Sequence, residues 1–312
     1  MSAQVLAAEL GTAEADAQRR RAAWVLWFIP LLWSVNLLAA RWAPGLVSPH
    51  VLALGRWSLA AAMLLVLARS ELSGIVQALR LHPLRYLTLG ACGMWICGAW
   101  VYLAGQSTSA MNLSLIYSSS PVLIALGAGW WLGERLRGVQ KWGVLAALLG
   151  VVHVVVRGDW ARLAQVEFVA GDLWVLAAAL AWAAFALLQK RWQAPIGATA
   201  QLAAMALGGV VVLLPFALWE LAQPTTPALG PQAFGLMVLT AVFPGVGAYW
   251  IYSWSQRILG ASRVGMTLYL SPLYTAVVAA WVLGEPLGWF HLTGGILILG
   301  GVALVTLGKA RH

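Results

Sequence analysis

Long apolar runs alternate along the chain with short segments that carry charged residues, prolines and glycines. A helix needs about 20 mainly apolar residues to cross a membrane, and the runs predict ten such helices between polar tails at 1–22 and 309–312. The predicted spans lie at 23–41, 50–68, 84–105, 109–132, 140–156, 171–189, 199–219, 232–254, 262–283 and 288–307. The pattern therefore predicts an all-α integral membrane protein with ten transmembrane helices.

One stretch of the sequence occurs twice, at a shift of 151 residues. Each copy has a proline inside an apolar helix, a Gly-Glu pair that ends this helix, and a second apolar helix rich in glycine. The aligned pairs are Ser120 and Ser271, Pro121 and Pro272, Glu134 and Glu285, Gly143 and Gly294, and Gly150 and Gly301. A further echo relates Trp33 to Trp182 at a shift of 149 residues. Matches at a fixed shift indicate an internal duplication.

The duplication divides the predicted helices into two groups of five. The first repeat covers 23–156, an outer loop covers 157–170, and the second repeat covers 171–308. Because five is an odd number, the second repeat must cross the membrane in the opposite sense to the first. Inverted repeats of this kind suit alternating access, in which a site at the midplane between the halves faces either side in turn.

Charge adds an orientation to this prediction. Charged residues make up 9% of the chain, against about 25% in soluble domains. The net charge of +9 does not indicate nucleic-acid binding, since the positive residues lie in short loops beside the spans, where they set topology. With the N-terminus inside, fifteen of the 19 Lys and Arg residues lie on the inner side; the others are Arg41, Arg56, Arg157 and Arg162. We therefore expect both termini in the cytoplasm.

Tryptophans supply the first candidate site residues. Most of the 19 lie near predicted helix ends, where indole rings favour the headgroup zone. Trp33, Trp95 and Trp182 lie nearer the middle of their spans, where an indole N–H needs a partner. Two interpretations fit these residues equally: they line a substrate cavity, or they pack the two halves together.

Polar side chains also fall inside the apolar spans, where each must be paired or hydrated. Several precede a proline, which removes one backbone hydrogen bond and frees a carbonyl four residues earlier. The candidate cavity residues of this kind are Asn36, Tyr117, Ser118, Ser120, Tyr249, Tyr252, Tyr269 and Ser271, and the predicted helix kinks are Pro121, Pro244 and Pro272. The prediction is a substrate site at these kinks. In the alternative, the hydroxyls only bond the freed carbonyls and the kinks serve packing.

Ionisable residues are nearly absent from the middle of the predicted spans. Arg56 is the one cation well inside a span. It either pairs with a substrate carboxylate or has a structural role, and the lack of a counterpart in the second half favours the structural role. No Asp or Glu lies in the middle of a span, although proton-coupled carriers often use a buried carboxylate there. We therefore expect a facilitator without a carboxylate relay, and a substrate that is not a polycation.

These features together resemble the EamA-type members of the drug/metabolite transporter superfamily. The residues that carry the resemblance are Trp33 with Asn36, the segment 54–57, the Ser-Pro…Gly-Glu blocks at 120–134 and 271–285, and the Gly-rich helices at 143–150 and 294–301. The resemblance implies a multi-pass protein of the bacterial inner membrane that exports small metabolites, often amino acids. The aromatic-rich helices are similar to those of the branch that exports aromatic amino acids.

Other classes of function fit the sequence less well. Membrane-embedded enzymes need paired carboxylates, a metal cluster or a nucleophile with its base, and the sequence has no Asp-rich motif, no His-x-x-x-His and no Gly-x-Ser-x-Gly. We expect no enzymatic activity, no metal site and no cofactor. A channel or another non-carrier membrane protein is the alternative, as is a carrier for a different metabolite class. The expected partners are a small-molecule substrate and the lipid bilayer, with no nucleic acid, and a monomer is expected.

Overall fold

The computed structural model describes residues 3–104, 107–108, 110–134, 136–283 and 286–306, and every regular element in these ranges is helical. The α-helices of the first half are α1 (Ala3–Val25), α2 (Ile29–Trp42), α3 (Pro49–Leu67), α4 (Leu72–Leu81), α5 (Pro83–Gly90), α6 (Val101–Ala104), α7 (Ala110–Tyr117), α8 (Ser120–Trp131) and α9 (Gly138–Val155). Those of the second half are α10 (Ala170–Arg191), α11 (Ala198–Leu221), α12 (Pro231–Thr240), α13 (Tyr249–Leu259), α14 (Ala261–Gly265), α15 (Ser271–Leu283) and α16 (Trp289–Thr306). The all-α prediction is thereby confirmed.

Eight helical runs of the described residues are long and apolar enough to cross a membrane. They are Pro49–Leu67, Asn112–Trp131, Gly138–Val155, Ala170–Arg191, Ala198–Leu221, Pro231–Leu259, Ala261–Val282 and Trp289–Thr306. The predicted span 23–41 corresponds to the end of α1, the 3-10 helix Leu26–Phe28 and α2. The predicted span 84–105 corresponds to α5, a π-helix and α6, which follow one another without a break. The count of ten transmembrane helices and the cytoplasmic location of the termini remain predictions.

Both copies of the duplicated stretch contain a broken helix. In the first copy, α7 ends at Tyr117 and α8 begins one residue before Pro121. In the second copy, the 3-10 helix Met266–Leu270 precedes α15, whose second residue is Pro272. A proline lacks the N–H group that an α-helix needs and crowds the preceding turn. The departure from α-helical geometry therefore lies where each proline requires it.

A π-helical segment also occurs in each half. The first π segment is Ala91–Trp100 and the second π segment is Ala241–Ala248, so their first residues are 150 positions apart. Pro244 lies inside the second segment, while the first contains no proline. Such segments are rare and are frequently found at functional sites. Because the wide turn recurs at nearly the shift of the duplication, it belongs to the repeat and not to Pro244 alone.

The last helices of the two halves pack against each other at glycines. A Cβ atom added to Gly143 would lie 2.7 Å from the Gly301 carbonyl oxygen, and one added to Gly150 would lie 2.8 Å from the Gly294 carbonyl oxygen. The helices α9 and α16 are therefore antiparallel at this contact. Since Gly294 and Gly301 are the repeat equivalents of Gly143 and Gly150, the same contact occurs twice, as a pseudo-two-fold axis requires. Small residues at such an interface allow the backbones to approach closely in an apolar environment.

The second helix of each half receives a carboxylate cap from the other half. The first N–H groups of a helix have no intrahelical partner and attract negative charge. Glu220, in the last turn of α11, accepts from the backbone N–H groups of His50 (2.8 Å) and Val51 (3.1 Å) at the start of α3. Glu71, which follows α3, accepts from the N–H of Gly197 (2.6 Å), just before α11. The two glutamates are 149 residues apart, so the caps are reciprocal.

The cap at Glu220 is buried, which the sequence did not indicate. The predicted span ended at residue 219, whereas α11 continues to Leu221 and buries the Glu220 side chain. Besides the two backbone N–H groups, the carboxylate contacts His50, with 2.6 Å between Oε1 and Nδ1. The buried carboxylate is therefore supplied with donors on both oxygens, as a charge removed from water requires.

A third carboxylate ties the two halves at the Gly-Glu corner after α8. Glu134 accepts from the backbone N–H groups of Ala261 and Ser262, both at 3.0 Å, and so caps the start of α14. These bonds offset the unfavourable position of an acid beside its own helix C-terminus. Glu134 is thus a structural tie between the halves, and its repeat equivalent Glu285 lies outside the described residues.

We predict that Gly301→Leu destabilises the protein and that Gly300→Leu does not. A Cβ atom at position 301 would lie 2.6 Å from the backbone nitrogen of Ala147, whereas nothing lies within 4 Å of one at position 300. Overpacking of this kind typically costs about 1–3 kcal/mol. Thermal unfolding in detergent measures the difference, and equal melting temperatures for the two neighbouring variants would contradict the reciprocal glycine contact.

We also expect Glu220→Ala to lower the melting temperature more than Glu71→Ala. The first change leaves two backbone N–H groups and the His50 ring without their acceptor, and the second leaves one N–H group. Loss of a helix cap costs about 0.5–2 kcal/mol. Asp16→Ala, at an exposed position of α1, serves as the control and is expected to change little. A Glu220 variant as stable as this control would show that the cap contributes nothing.

Candidate substrate site

Six aromatic side chains from four helices form one cluster inside the main hydrophobic core. The aromatic cluster consists of Trp33 of α2, Trp57 of α3, Trp182 and Phe185 of α10, and Tyr249 and Tyr252 of α13. Trp33 is half-buried and the other five are buried. The pairs are edge-to-face or tilted, an arrangement that contributes about 0.5–1.5 kcal/mol per pair beyond the area buried.

The two tryptophans that are repeat equivalents touch each other in this cluster. The ring centroids of Trp33 and Trp182 are 5.3 Å apart, and their planes cross at 82°. A residue that contacts its own repeat equivalent lies next to the pseudo-two-fold axis. The sequence allowed two interpretations of these tryptophans, packing between the halves and lining of a site at their boundary. Both interpretations concern this same pair of side chains.

Tyr249 joins the cluster to both π segments. It is the first residue of α13 and directly follows the second π segment. Its ring centroid lies 4.8 Å from that of Trp57 and 5.5 Å from that of Trp182. Its hydroxyl donates to the carbonyl oxygen of Gly93, inside the first π segment, at 2.6 Å. One side chain thus links the wide turns of the two halves.

A buried cation borders the cluster. The guanidinium carbon of Arg56 lies 4.9 Å from the centroid of Trp57 and 5.9 Å from that of Tyr249. Its Nη1 donates to Asn36 Oδ1 at 3.0 Å, so the predicted site residue Asn36 holds the guanidinium in place. A charge at the middle of a membrane helix costs about 2.5–3.5 kcal/mol on insertion scales. The amide oxygen and the ring faces offset only part of this cost, since neither carries a full negative charge.

Several donors of the cluster are buried and have no hydrogen-bond partner among the described residues. These atoms are Arg56 Nε, Trp57 Nε1, Trp182 Nε1 and Tyr252 Oη. Leaving a buried donor unpaired costs about 1–3 kcal/mol, and native structures contain few such groups. Because all four groups donate, the site around the cluster is suited to a ligand that supplies acceptor atoms.

Trp95, the third predicted tryptophan, belongs to a different stack. Its ring lies on Phe216 with 4.3 Å between centroids and meets Trp100 edge-on at 5.2 Å. Phe216 in turn stacks on His50, whose ring contacts Glu220. Trp95 therefore lies beside the buried cap of α3, and the described residues show no ring contact between it and the aromatic cluster.

The hydroxyls before Pro121 bond backbone carbonyls. Ser118, in the break after α7, donates to the carbonyl oxygen of Leu115 at 2.6 Å. Ser120 is fully buried and donates to the carbonyl oxygen of Ala179 on α10 at 3.4 Å. These bonds match the alternative interpretation of the sequence, in which the serines satisfy carbonyls near the kink. Ser120 additionally connects the broken helix of the first half to the helix that carries Trp182.

Tyr117, Tyr269 and Ser271 complete the predicted set. Tyr117 is half-buried at the end of α7 and lies near Tyr249 and Tyr252. Tyr269 packs in a second hydrophobic core with residues of α9 and α16, and its hydroxyl is buried without a partner among the described residues. Ser271 is half-buried at the start of α15. Tyr117 is thus near the aromatic cluster, whereas Tyr269 lies in another core.

The kink at Pro244 lies beside the buried cation. A Cβ atom added to the next residue, Gly245, would lie 3.7 Å from Arg56 Nε and 3.0 Å from the carbonyl oxygen of Thr240. The Thr240 hydroxyl donates to the Leu236 carbonyl at 2.7 Å, one turn earlier in the helix. The second π segment therefore lies beside the Nε edge of the guanidinium, and the tightest neighbour of an added Cβ is the carbonyl of its own helix.

Two members of the aromatic cluster were not among the predicted site residues. Trp57 is buried and lies next to Arg56 in the sequence, and Phe185 lies three residues after Trp182. Residues three positions apart lie on the same face of a helix. Had the face of Trp182 been extended by one turn, the sequence would have predicted Phe185.

Comparison with known proteins identifies relatives over most of the chain. The model of the EamA-like transporter family matches residues 21–156 and again residues 169–307. YyaM, an uncharacterized transporter of Bacillus subtilis, is 26% identical over 84% of this chain and 86% of its own length. An uncharacterized transporter of Archaeoglobus fulgidus is 26% identical over 88% of this chain and 94% of its own length.

Two further matches concern substrate and fold. A protein of Streptantibioticus cattleyicolor with the name "probable terminal-alkyne amino-acid exporter" is 27% identical over 90% of this chain and 96% of its own length. A solved crystal structure superposes with a TM-score of 0.73 at 21% identity, over 92% of this chain and 97% of that chain. At this identity, the second match shows a shared fold alone.

Tyr249→Phe is predicted to destabilise the protein, whereas Tyr252→Phe is predicted to leave its stability nearly unchanged. Both variants keep the ring in the cluster, but only the first removes a hydrogen bond, the one to Gly93. The expected difference is about 1 kcal/mol, the usual net value of one buried hydrogen bond. Thermal unfolding of the two variants side by side tests it, and equal melting temperatures would mean that the link to the first π segment carries no stability.

Proposed function

Because the chain belongs to the EamA-like transporter family of the drug/metabolite transporter superfamily, we propose that it exports neutral amino acids with aromatic side chains. The transport site is the aromatic cluster with its buried polar groups, at the boundary of the two halves. The protein lies in the inner membrane of a bacterium, with both termini in the cytoplasm, as the distribution of Lys and Arg favours.

One observation carries this proposal. The equivalent residues Trp33 and Trp182 meet inside a cluster of six rings that carries three unpaired donors, and the neighbouring Arg56 adds a fourth. Aromatic faces suit an apolar or aromatic side chain, and buried donors suit the polar end of the same small molecule. Such a combination matches a zwitterion with a ring better than it matches a sugar or a polyamine. The relative with the name of an amino-acid exporter supports the same substrate class.

Alternating access is the proposed mechanism. A site beside the pseudo-two-fold axis can face either side of the membrane in turn when the two halves rock against each other. The broken helices and the π segments of both halves provide turns that deform more readily than a continuous α-helix. Closure on one side and opening on the other then expose the cluster to each side in turn.

The energy source is proposed to be the gradient of the substrate itself. Proton-coupled carriers commonly place a carboxylate at the midplane, and the members of the aromatic cluster and its neighbour Arg56 form no ion pair with an acid of the described residues. The carboxylates Glu71, Glu134 and Glu220 bind backbone N–H groups at helix ends instead. Counterflow without a pH gradient is the expected behaviour.

Counterflow in proteoliposomes tests the proposal. Vesicles loaded with unlabelled phenylalanine, tryptophan or threonine receive labelled phenylalanine or tryptophan outside, without a pH gradient. We expect transient accumulation with the aromatic loads and a rate that saturates with concentration. A channel would give neither counterflow nor saturation, and accumulation only under an imposed pH gradient would contradict the facilitative mechanism.

Trp182→Ala is predicted to reduce this counterflow about tenfold, since it removes ring contacts that together are worth more than one aromatic pair. Trp281→Ala is the matched control, because Trp281 is 93% exposed on the outer face of α15 and belongs to no ring pair of the described residues. The control is expected to transport at the rate of the unchanged protein. Equal transport by both variants would remove Trp182 from the site.

A further inference from the structure

Arg56 is a buried cation without an anion. It is the eighth residue of α3, its side chain is 5% exposed, and its hydrogen bond to Asn36 goes to a neutral oxygen. No acid of the described residues forms an ion pair with it, and its Nε has no partner there. A guanidinium has five N–H donors and no acceptor. The described residues therefore leave the charge of Arg56 without a counter-ion and its Nε–H without an acceptor.

A structural role does not account for this arrangement. An arginine inside a span usually extends toward the headgroups or pairs with backbone carbonyls. Arg56 instead lies beside the ring pair of Trp57 and Tyr249, and no carbonyl oxygen of the described residues accepts from it. The side chain is held by Asn36 through Nη1, and its Nε is buried beside Gly245 without a hydrogen-bond partner among the described residues.

On these grounds we propose that Arg56 binds the carboxylate of the transported substrate. The inference rests on the proposed function and narrows it to molecules that combine a carboxylate with an aromatic or apolar group. A carboxylate supplies both the missing charge and the acceptor atoms, and it pairs with a guanidinium through two parallel bonds. The indole N–H groups of Trp57 and Trp182 and the hydroxyl of Tyr252 are the other unpaired donors of the same cluster. All of them suit the same anionic group.

The arrangement also ranks the two charged groups of an amino acid. Arg56 and the unpaired donors of the aromatic cluster suit the carboxylate of an amino acid. No acid of the described residues forms an ion pair with these groups, so the described site offers no carboxylate to an ammonium group. Removal of the carboxylate from a ligand should therefore weaken binding far more than removal of the amine. This preference distinguishes the proposal from a site that recognises only the ring.

Ligand analogues test the ranking on the unchanged protein. The probes are 3-phenylpropionate, which lacks the amine, and phenylalaninamide and phenethylamine, which lack the carboxylate. Each is assayed as an inhibitor of labelled phenylalanine counterflow and, independently of transport, by its effect on the melting temperature of the purified protein. We expect 3-phenylpropionate to bind at least about tenfold more tightly than phenylalaninamide or phenethylamine, because its carboxylate can form charge-assisted hydrogen bonds. Equal affinities, or no stabilisation by any of the carboxylates, would overturn the proposal.

Variants of Arg56 assign the preference to this residue. Arg56→Gln keeps a donor without the charge and is expected to abolish the preference for 3-phenylpropionate. Arg56→Lys keeps the charge but not the paired N–H geometry, and it is expected to retain part of the preference. Arg85→Gln is the control, since Arg85 lies 5.8 Å above Trp192 at a helix start, outside the cluster. A preference that persists in Arg56→Gln would overturn the assignment, whatever the transport rate.

Failure of this assignment and failure of the proposed function give different results. If phenylalanine counterflow is equal in the unchanged protein and in Arg56→Gln, with no preference for the acid, the export function stands and the role of Arg56 falls. If phenylalanine is not transported but 3-phenylpropionate stabilises the unchanged protein and not Arg56→Gln, the substrate is another carboxylate and the role of Arg56 stands. Melting temperatures without ligand show that Arg56→Gln and Arg56→Lys are folded before transport or ligand binding is compared.

Discussion

Hydrogen-bonding groups at helix ends must find partners even where apolar helices pack together, and this constraint connects the two halves. Glu220 supplies acceptors to the start of α3, and Glu71 supplies one to the residue before α11. Glu220 lies in α11, whose start is capped by Glu71, and Glu71 follows α3, whose start is capped by Glu220. Each helix therefore depends on the other half for its cap. An unpaired buried N–H costs about as much as a lost hydrogen bond, and the caps therefore fix the register of this helix pair.

The same reciprocity governs the apolar contacts. At the other helix pair, Gly143 and Gly150 meet Gly301 and Gly294, and each contact is the image of the other. A pseudo-two-fold axis that relates both helix pairs brings Trp33 against Trp182, because equivalent residues beside such an axis touch each other. The position of the aromatic cluster at the boundary of the halves thus follows from caps and glycine contacts elsewhere in the fold.

The two halves differ in the residues that they contribute at the aromatic cluster. Arg56 has a buried methionine, Met205, at the equivalent position of α11, and Pro244 has no counterpart in the first π segment. The caps and glycine contacts are duplicated, whereas the charge of Arg56, the unpaired donors and the hydrogen bond from Tyr249 to Gly93 occur once. The proposed rocking motion needs equivalent halves, whereas the proposed recognition of a chiral small molecule needs groups that differ between the halves.

The sequence by itself determined the class of protein, the duplication and most of the chemistry available to a site. Apolar runs and breakers predicted the helices, and the fixed shift between copies predicted which residues are equivalent. Most of the long helices, such as α3, α9, α11 and α16, are apolar on all sides, however, so periodicity gives them no inward face. Only the tertiary structure therefore separated Trp95 from Trp33 and Trp182, added Trp57 and Phe185, and brought Arg56 beside Tyr249. The rotation of each helix about its own axis is set by contacts between distant segments, such as those of Glu220 and Gly301, and local sequence does not encode it.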